Sequence, residues 1–247
     1  MAYVKRVWFL VVIILALAST LSPPSLAGEL IDALKLRNMV QVRSLLAAGE
    51  SVNKQVRGDY PLNVAAVYGP AEMVSLLLEA GAGVEQPGRD GYRPLHNAVF
   101  MGHREIVALL IQKGAIIEAK DRKGRTPLNY FAASGGSDIE IAKMLLAAGA
   151  HPGTEDLDRE TALGSAAATG NLELGKLLIA AHADVNHQPS SGESPVHAAA
   201  FHRRYEFVKL LIDAGANVNL RSKTGYTPLF YVSDAAIRRL LIEAGAK

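Results

Sequence analysis

The stretch DGYRPLHNAVFMGHREIVALLIQKGA, residues 90–115, reads as two helices and the turns around them. Pro94 stands at a first helical position, where its missing N–H costs no hydrogen bond. Apolar residues follow at helical spacing as far as Phe100 and Met101, and Gly102-His103 then breaks the helix. Ile106, Val107 and the Leu109-Leu110-Ile111 run give a second helix an apolar face, which Gly114 ends by adopting a left-handed conformation. A single pair of such helices cannot bury that face alone, but stacked copies can.

Copies are present. Tetrads aligned on Pro-Leu recur as Tyr60-Pro61-Leu62-Asn63, Arg93-Pro94-Leu95-His96, Thr126-Pro127-Leu128-Asn129, Thr161-Ala162-Leu163-Gly164, Ser194-Pro195-Val196-His197 and Thr227-Pro228-Leu229-Phe230. Their first residues are 33, 33, 35, 33 and 33 apart. A second landmark keeps the same period: SLLAAG, LLLEAGA, LLIQKGA, MLLAAGA, LLIAAHA, LLIDAGA and LLIEAGA.

DGYRPLHN and GHREIVALLIQKGA together resemble the ankyrin repeat, and the likeness runs from about Glu29 to the end of the chain. The resemblance implies an all-α solenoid of helix-turn-helix units joined by hairpin-like loops. Residues 29–54 lack a tetrad and read as an N-terminal cap whose outer side carries Asp32, Lys35 and Arg37. Five full repeats occupy 55–221 and a truncated C-terminal cap 222–247, so the repeat domain spans 28–247. A two-residue insertion at SGGSD lengthens the inter-helix turn of the fourth unit.

Ahead of the repeats, MAYVKR supplies a short positive segment, Val7–Ala18 an apolar run, and Ser25-Leu26-Ala27 a small-residue pattern. Residues 1–27 therefore read as a secretory signal peptide cleaved after Ala27. The run is shorter than the roughly 20 residues of a spanning helix; stretched to Leu21, it offers an uncleaved anchor as the alternative. Export to a bacterial periplasm is the expectation, with no membrane attachment after cleavage. The formal charge of +2 resides in Lys5 and Arg6, because residues 28–247 carry 24 basic and 24 acidic groups. Such a balance gives no argument for a nucleic-acid partner. The absence of cysteine excludes disulfides, thiolate zinc sites and a cysteine nucleophile.

Catalytic and metal chemistry find little support. His151, His187 and His202 share no metal-like spacing and have no acid array beside them. Ser134, Ser190 and Ser191 lie in turns without a strand-turn-helix elbow. The glycine-bearing loops lack the Lys-Ser/Thr of a phosphate cradle. No cofactor, metal or catalytic residue is expected; a histidine-dependent metal protein or enzyme is the minor alternative. Within the resemblance, His96 and His197 bond backbone across repeats, and His103 belongs to the Gly-His turn.

The resemblance further implies that a protein partner is bound on the concave side, by the loop tips and the ends of the first helices. Carried onto this chain, those positions give Tyr68, Arg89, Tyr92, Phe100, Met101, Arg125, Phe201, His202, Arg203 and Tyr226. Each aromatic could instead lie flat over the neighbouring repeat. Arg203 occupies the turn position that is Gly69, Gly102 or Gly170 elsewhere, where a side chain in left-handed backbone costs about 1 kcal/mol. The expected protein is a monomeric, non-catalytic binding module; the alternative is a secreted effector that binds host proteins.

Overall fold

The computed structural model describes residues 26–247 and contains thirteen α-helices, two 3-10 turns and one isolated β-bridge, Val56 to Asp59. The helices come in pairs: α1 (Leu26–Lys35) and α2 (Met39–Ala47), α3 (Pro61–Tyr68) and α4 (Ala71–Glu79), α5 (Pro94–Phe100) and α6 (Arg104–Gln112), α7 (Pro127–Ala133) and α8 (Ile139–Ala147), α9 (Ala162–Thr169) and α10 (Leu172–Ala180), α11 (Pro195–Phe201) and α12 (Tyr205–Asp213). The last pair is a 3-10 turn, Pro228–Tyr231, with α13 (Ala235–Glu243). First helices pack side by side from α1 to α11 and on to this turn, and second helices from α4 to α13 form a parallel row. Most of the expected leader lies outside the described residues. Among the described residues, no helix is long and apolar enough to cross a membrane.

The core follows the repeat register. The third tetrad residues Leu62, Leu95, Leu128, Leu163 and Val196 are all fully buried. Opposite them, the second helices bury i, i+1, i+4 sets: Met73, Val74 and Leu77; Ile106, Val107 and Leu110; Phe207, Val208 and Leu211. Gly175 interrupts this pattern for a steric reason, since a Cβ there would stand 2.5 Å from the Phe207 ring.

Caps start the first helices. Thr126 and Thr161 accept from the backbone N–H of Asn129 and Gly164, and the ring Nδ1 of His197 accepts from the N–H of Ser194. The α3 helix differs, because Tyr60 at its N-cap has no hydroxyl within reach. In α7 the Thr126 hydroxyl also bonds the Asn129 side-chain oxygen, whereas the equivalent oxygen of Asn63 is buried without a partner. Tyr60→Thr should therefore cap α3 and satisfy Asn63, raising stability by about 1 kcal/mol. An unchanged urea midpoint would show that the hydroxyl does not reach either group.

Turns between paired helices use left-handed backbone at Arg37 (φ 56°), Gly102 (71°), Gly135 (71°), Gly170 (82°) and Arg203 (57°). Gly69 departs from this expectation, with φ −85° and ψ 161°, because Pro70 forces the preceding residue into extended backbone. His182, in place of a helix-ending glycine, is left-handed at φ 65°. The SGGSD insertion adds two residues to the α7–α8 turn, which runs from 134 to 138 where the α5–α6 turn runs from 101 to 103.

Loop tips are tied to each other by backbone bonds. Asp90 O accepts from Arg122 N–H (2.9 Å), Lys123 O from Leu157 N–H (3.0 Å), Asp158 O from Ser190 N–H (2.8 Å) and Ser191 O from Lys223 N–H (3.0 Å).

Candidate protein-interaction face

The fourth tetrad residue links each unit to the next loop. Asn63 Nδ2 donates to Tyr92 O (2.8 Å), His96 Nε2 to Arg125 O (3.0 Å), Asn129 Nδ2 to Glu160 O (3.4 Å) and His197 Nε2 to Tyr226 O (3.2 Å). Burial holds both histidines below the usual imidazole range, so they stay neutral with Nε2 protonated while Nδ1 accepts from backbone. His103 Nδ1 bonds Ala66 O at 3.1 Å across the neighbouring turn.

These links fix Tyr92, Arg125, Glu160 and Tyr226, four of the residues that immediately precede the tetrads; with Asp59 and Glu193 they form one row. The fifth residue counted from each tetrad's start gives a second row, Val64, Asn97, Tyr130, Ser165, Ala198 and Tyr231. Two aromatic clusters arise where both rows are large, separated by a stretch around Ser165 and Ala168 where side chains are small.

In the first cluster, the Tyr130 ring centroid lies 5.1 Å from Tyr92 and 5.3 Å from Phe100. Arg125 organises it: its guanidinium sits 4.4 Å over Tyr130, donates to Tyr92 Oη at 2.9 Å and pairs with Asp121 at 2.8 Å. The Asp121 carboxylate is 1% exposed and also accepts from the N–H groups of Lys123 and Arg125. Burial, with the Tyr92 hydrogen bond, pushes the Tyr130 phenol up to about 12. Burial opposes the Arg125 charge, yet the Asp121 bond outweighs it and keeps the guanidinium above its ordinary range. Arg125, expected to meet a partner, is thus mostly enclosed, its side chain only 15% exposed. Phe100 and Met101 are open, at 54% and 43%. Beside them the lengthened α7–α8 turn leaves a recess of about 390 Å³ lined by Phe100, Met101, Phe131 and Gly136.

Further toward the N-terminus, Arg89 donates to Arg57 O at 2.7 Å and pairs with Asp59 at 3.2 Å, bracing two loops. It borders a cleft of about 280 Å³ together with Tyr68, Tyr92 and Asn63.

The second cluster gathers Phe201, His202, Tyr226, Phe230 and Tyr231. Tyr226 and Phe230 stack at 3.7 Å, while the Tyr231 ring stands at 87° to Tyr226 and 83° to Phe201, each 6.2 Å away. The Phe201 ring meets His202 edge-on at 5.0 Å. Arg203, whose backbone is left-handed, donates to the Ser233 hydroxyl at 3.0 Å and remains exposed.

Between the clusters, the fifth unit has Gly164 where the other full repeats carry Asn or His. Glu160 fills the space: a Cβ on Gly164 would overlap its carboxylate, which accepts from Thr161 N–H at 3.1 Å as the tetrad histidines do. Burial, reinforced by the charges of Asp156 and Asp158, raises this carboxylate to about 7.

Of the remaining histidines, His151 and His187 have separate local partners. His151 Nδ1 accepts from Gly153 N–H and His187 Nε2 donates to Arg159 O. Among the described residues, no group of three or more histidines and acids is arranged to hold a metal ion.

The family model described as ankyrin repeats (3 copies) matches residues 30–121, 62–156, 128–222 and 163–247, overlapping segments that together run from 30 to 247. The chain belongs to the ankyrin-repeat family. Ankyrin repeats mark a protein–protein interaction module. A search of the curated proteins finds no match. Within this ankyrin stack, Tyr130, Phe230 and Tyr231 are the residues of the face that sequence reasoning passed over. Their signal was available: Tyr130 and Tyr231 lie at the same offset from their tetrads, on the same helical side as Phe100 and Phe201.

Proposed function

We propose that this protein binds a protein partner through the face formed by the loop tips and first helices, the concave side of an ankyrin stack, and that it does so without catalysis as an exported monomer in a bacterial periplasm. The observation that carries the reading is the pair of exposed aromatic clusters on one face, built on a rigid scaffold. Phe100, Met101, Phe201, Tyr226 and Phe230 are each at least 43% exposed although their repeats are otherwise closely packed. Large apolar and aromatic anchors of this kind dominate interface energetics, and a preformed face loses little conformational entropy on binding. Export rests on the leader read from residues 1–27.

The test is affinity capture from an envelope fraction with the protein and a Phe100→Ala/Met101→Ala variant, with localisation of the native protein by fractionation. These two positions are chosen because Tyr92 holds Arg125, so its removal would perturb the scaffold as well. A partner retained by the native protein and lost by the variant is the expected result. Retention of the same proteins by both forms would place the contact elsewhere.

A further inference from the structure

The two aromatic clusters occupy the same repeat positions. In the first, the residue before the tetrad is Tyr92 in one unit and Arg125 in the next, with Phe100 ending the first unit's helix and Tyr130 at the fifth position of the second. The second cluster has Glu193, Tyr226, Phe201 and Tyr231 in those four places. Tyrosine has become glutamate, and arginine has become tyrosine.

This exchange removes the cation and adds a carboxylate. Arg125 lies over Tyr130 and neutralises Asp121 in the first cluster. The second cluster has the matching ring, Tyr231, but none of the described ion pairs reaches Glu193, which is exposed and forms its loop turn through backbone N–H to Ser191. Tyr226 and Tyr231 are both tied to His197, four residues after Glu193: its Nε2 bonds Tyr226 O and its ring meets Tyr231 edge-on at 5.9 Å. Glu193 stands at the position of Tyr92, whose side chain touches that of the next unit's Arg125, the counterpart of Tyr226. Burial leaves His197 neutral, so it supplies no compensating charge. Tyr226 and Phe201 rise nearly perpendicular to Tyr231, and both are open to solvent. Aromatic faces set at right angles beside a carboxylate are the chemistry that receives an ammonium or guanidinium group.

We infer that Phe201, Tyr226 and Tyr231 with Glu193 form a receptor for one cationic side chain, lysine or arginine, presented by the protein partner. The inference rests on the proposed binding face and specifies what the partner carries there. The partner's cation supplies the charge that the second cluster lacks because Tyr226 stands where the first has Arg125. Phe100 and Phe201 end helices three units apart, roughly 24–30 Å at about 8–10 Å per packed helix. An extended segment of about eight to ten residues therefore suffices to place an apolar anchor on the first cluster and a cation on the second.

The test uses a displayed library of random peptides selected on the full chain, with affinities of enriched peptides measured against three variants. Glu193 is exposed, so Glu193→Gln leaves packing unchanged. The expected outcome is enrichment of peptides with a Lys or Arg whose replacement by Met weakens binding about tenfold. Glu193→Gln should weaken the same peptides about as much, and Glu193→Asp should retain most of the preference for the cation. Phe100→Ala should weaken binding while leaving that preference intact. Peptides that need Phe100 yet carry no cation and ignore Glu193→Gln would overturn the receptor while leaving the binding face in place. Selection of no peptide that depends on either cluster would remove both.

Discussion

Arg125→Ala is expected to lower the stability of the stack by about 3 kcal/mol, because the substitution strands a carboxylate that has no access to water. Asp121 would keep its two backbone N–H bonds on Oδ1 but lose the guanidinium on Oδ2. Tyr92 would lose the donor on its hydroxyl, and Tyr130 the cation above its ring. The carboxylate left without its counter-charge belongs to a side chain that is only 1% exposed. Urea unfolding should show the effect as a lower midpoint. In a double-mutant cycle with Asp121→Asn, the combined loss should fall well short of the sum, since the second change removes the charge that the first one leaves unpaired. Additive losses would mean that Arg125 acts on the fold through Tyr92 and Tyr130 rather than through Asp121. Arg125→Lys should recover little, as an ammonium cannot bridge a carboxylate, a phenol and a ring at once. A loss of partner binding in Arg125→Ala is therefore read beside its unfolding curve.

Glu160 should make stability depend on pH in the opposite sense to an ordinary salt-bridged acid. Its carboxyl titrates at about 7 in the fold and near 4.5 in the unfolded chain. A raised acid pKa means that folding favours the protonated form. The contribution is fully present below about pH 4.5, declines as pH rises toward 7, and is gone above it. The difference corresponds to about 3 kcal/mol at most, and to roughly 2 once partial exposure is allowed for. Burial is the main cause, Asp156 and Asp158 add to it, and the Thr161 N–H and the His187 charge oppose it. Glu160→Gln keeps an acceptor for Thr161 while discarding the charge. It should be more stable than the native protein by about 2 kcal/mol at alkaline pH and equal to it in acid. Unfolding curves on either side of neutrality decide the matter: an identical gain at both pH values would assign the effect to hydrogen bonding instead of ionisation.

Both predictions concern residues whose roles were only half legible in the sequence. The period of the tetrads and of the Leu-Leu-Ile runs was sufficient for the solenoid, because a face that no single unit can bury demands stacking. The strained backbone at Arg203 and His182 was equally readable, since each sits where sister units carry glycine. Side-chain commitments were not. Arg125 at a loop tip looks free until its fold brings Asp121 and Tyr92 against it, and the Asp four residues earlier was the available hint. Glu160 looks like any charged loop residue; the informative absence was the missing Asn or His at position 164, which leaves a space the acid enters. Gly69 was misjudged because a local rule about glycine yielded to the proline that follows it. Phe100, Met101, Phe201 and Tyr226 could be picked out as exposed large side chains, while the rings of Tyr130 and Tyr231 beside them were missed by attending only to where helices begin and end.

The backbone bonds between loop tips give the stack a built-in set of gauges. Each of the amides of Arg122, Leu157, Ser190 and Lys223 belongs to one repeat and bonds a carbonyl of the repeat before it. Opening one interface thus releases one of these protons to solvent and leaves the others held, so their exchange rates read the strength of four successive junctions separately. A solenoid usually yields a single unfolding curve in which the junctions are blended. Here the order in which the repeats part company is written into four amide signals.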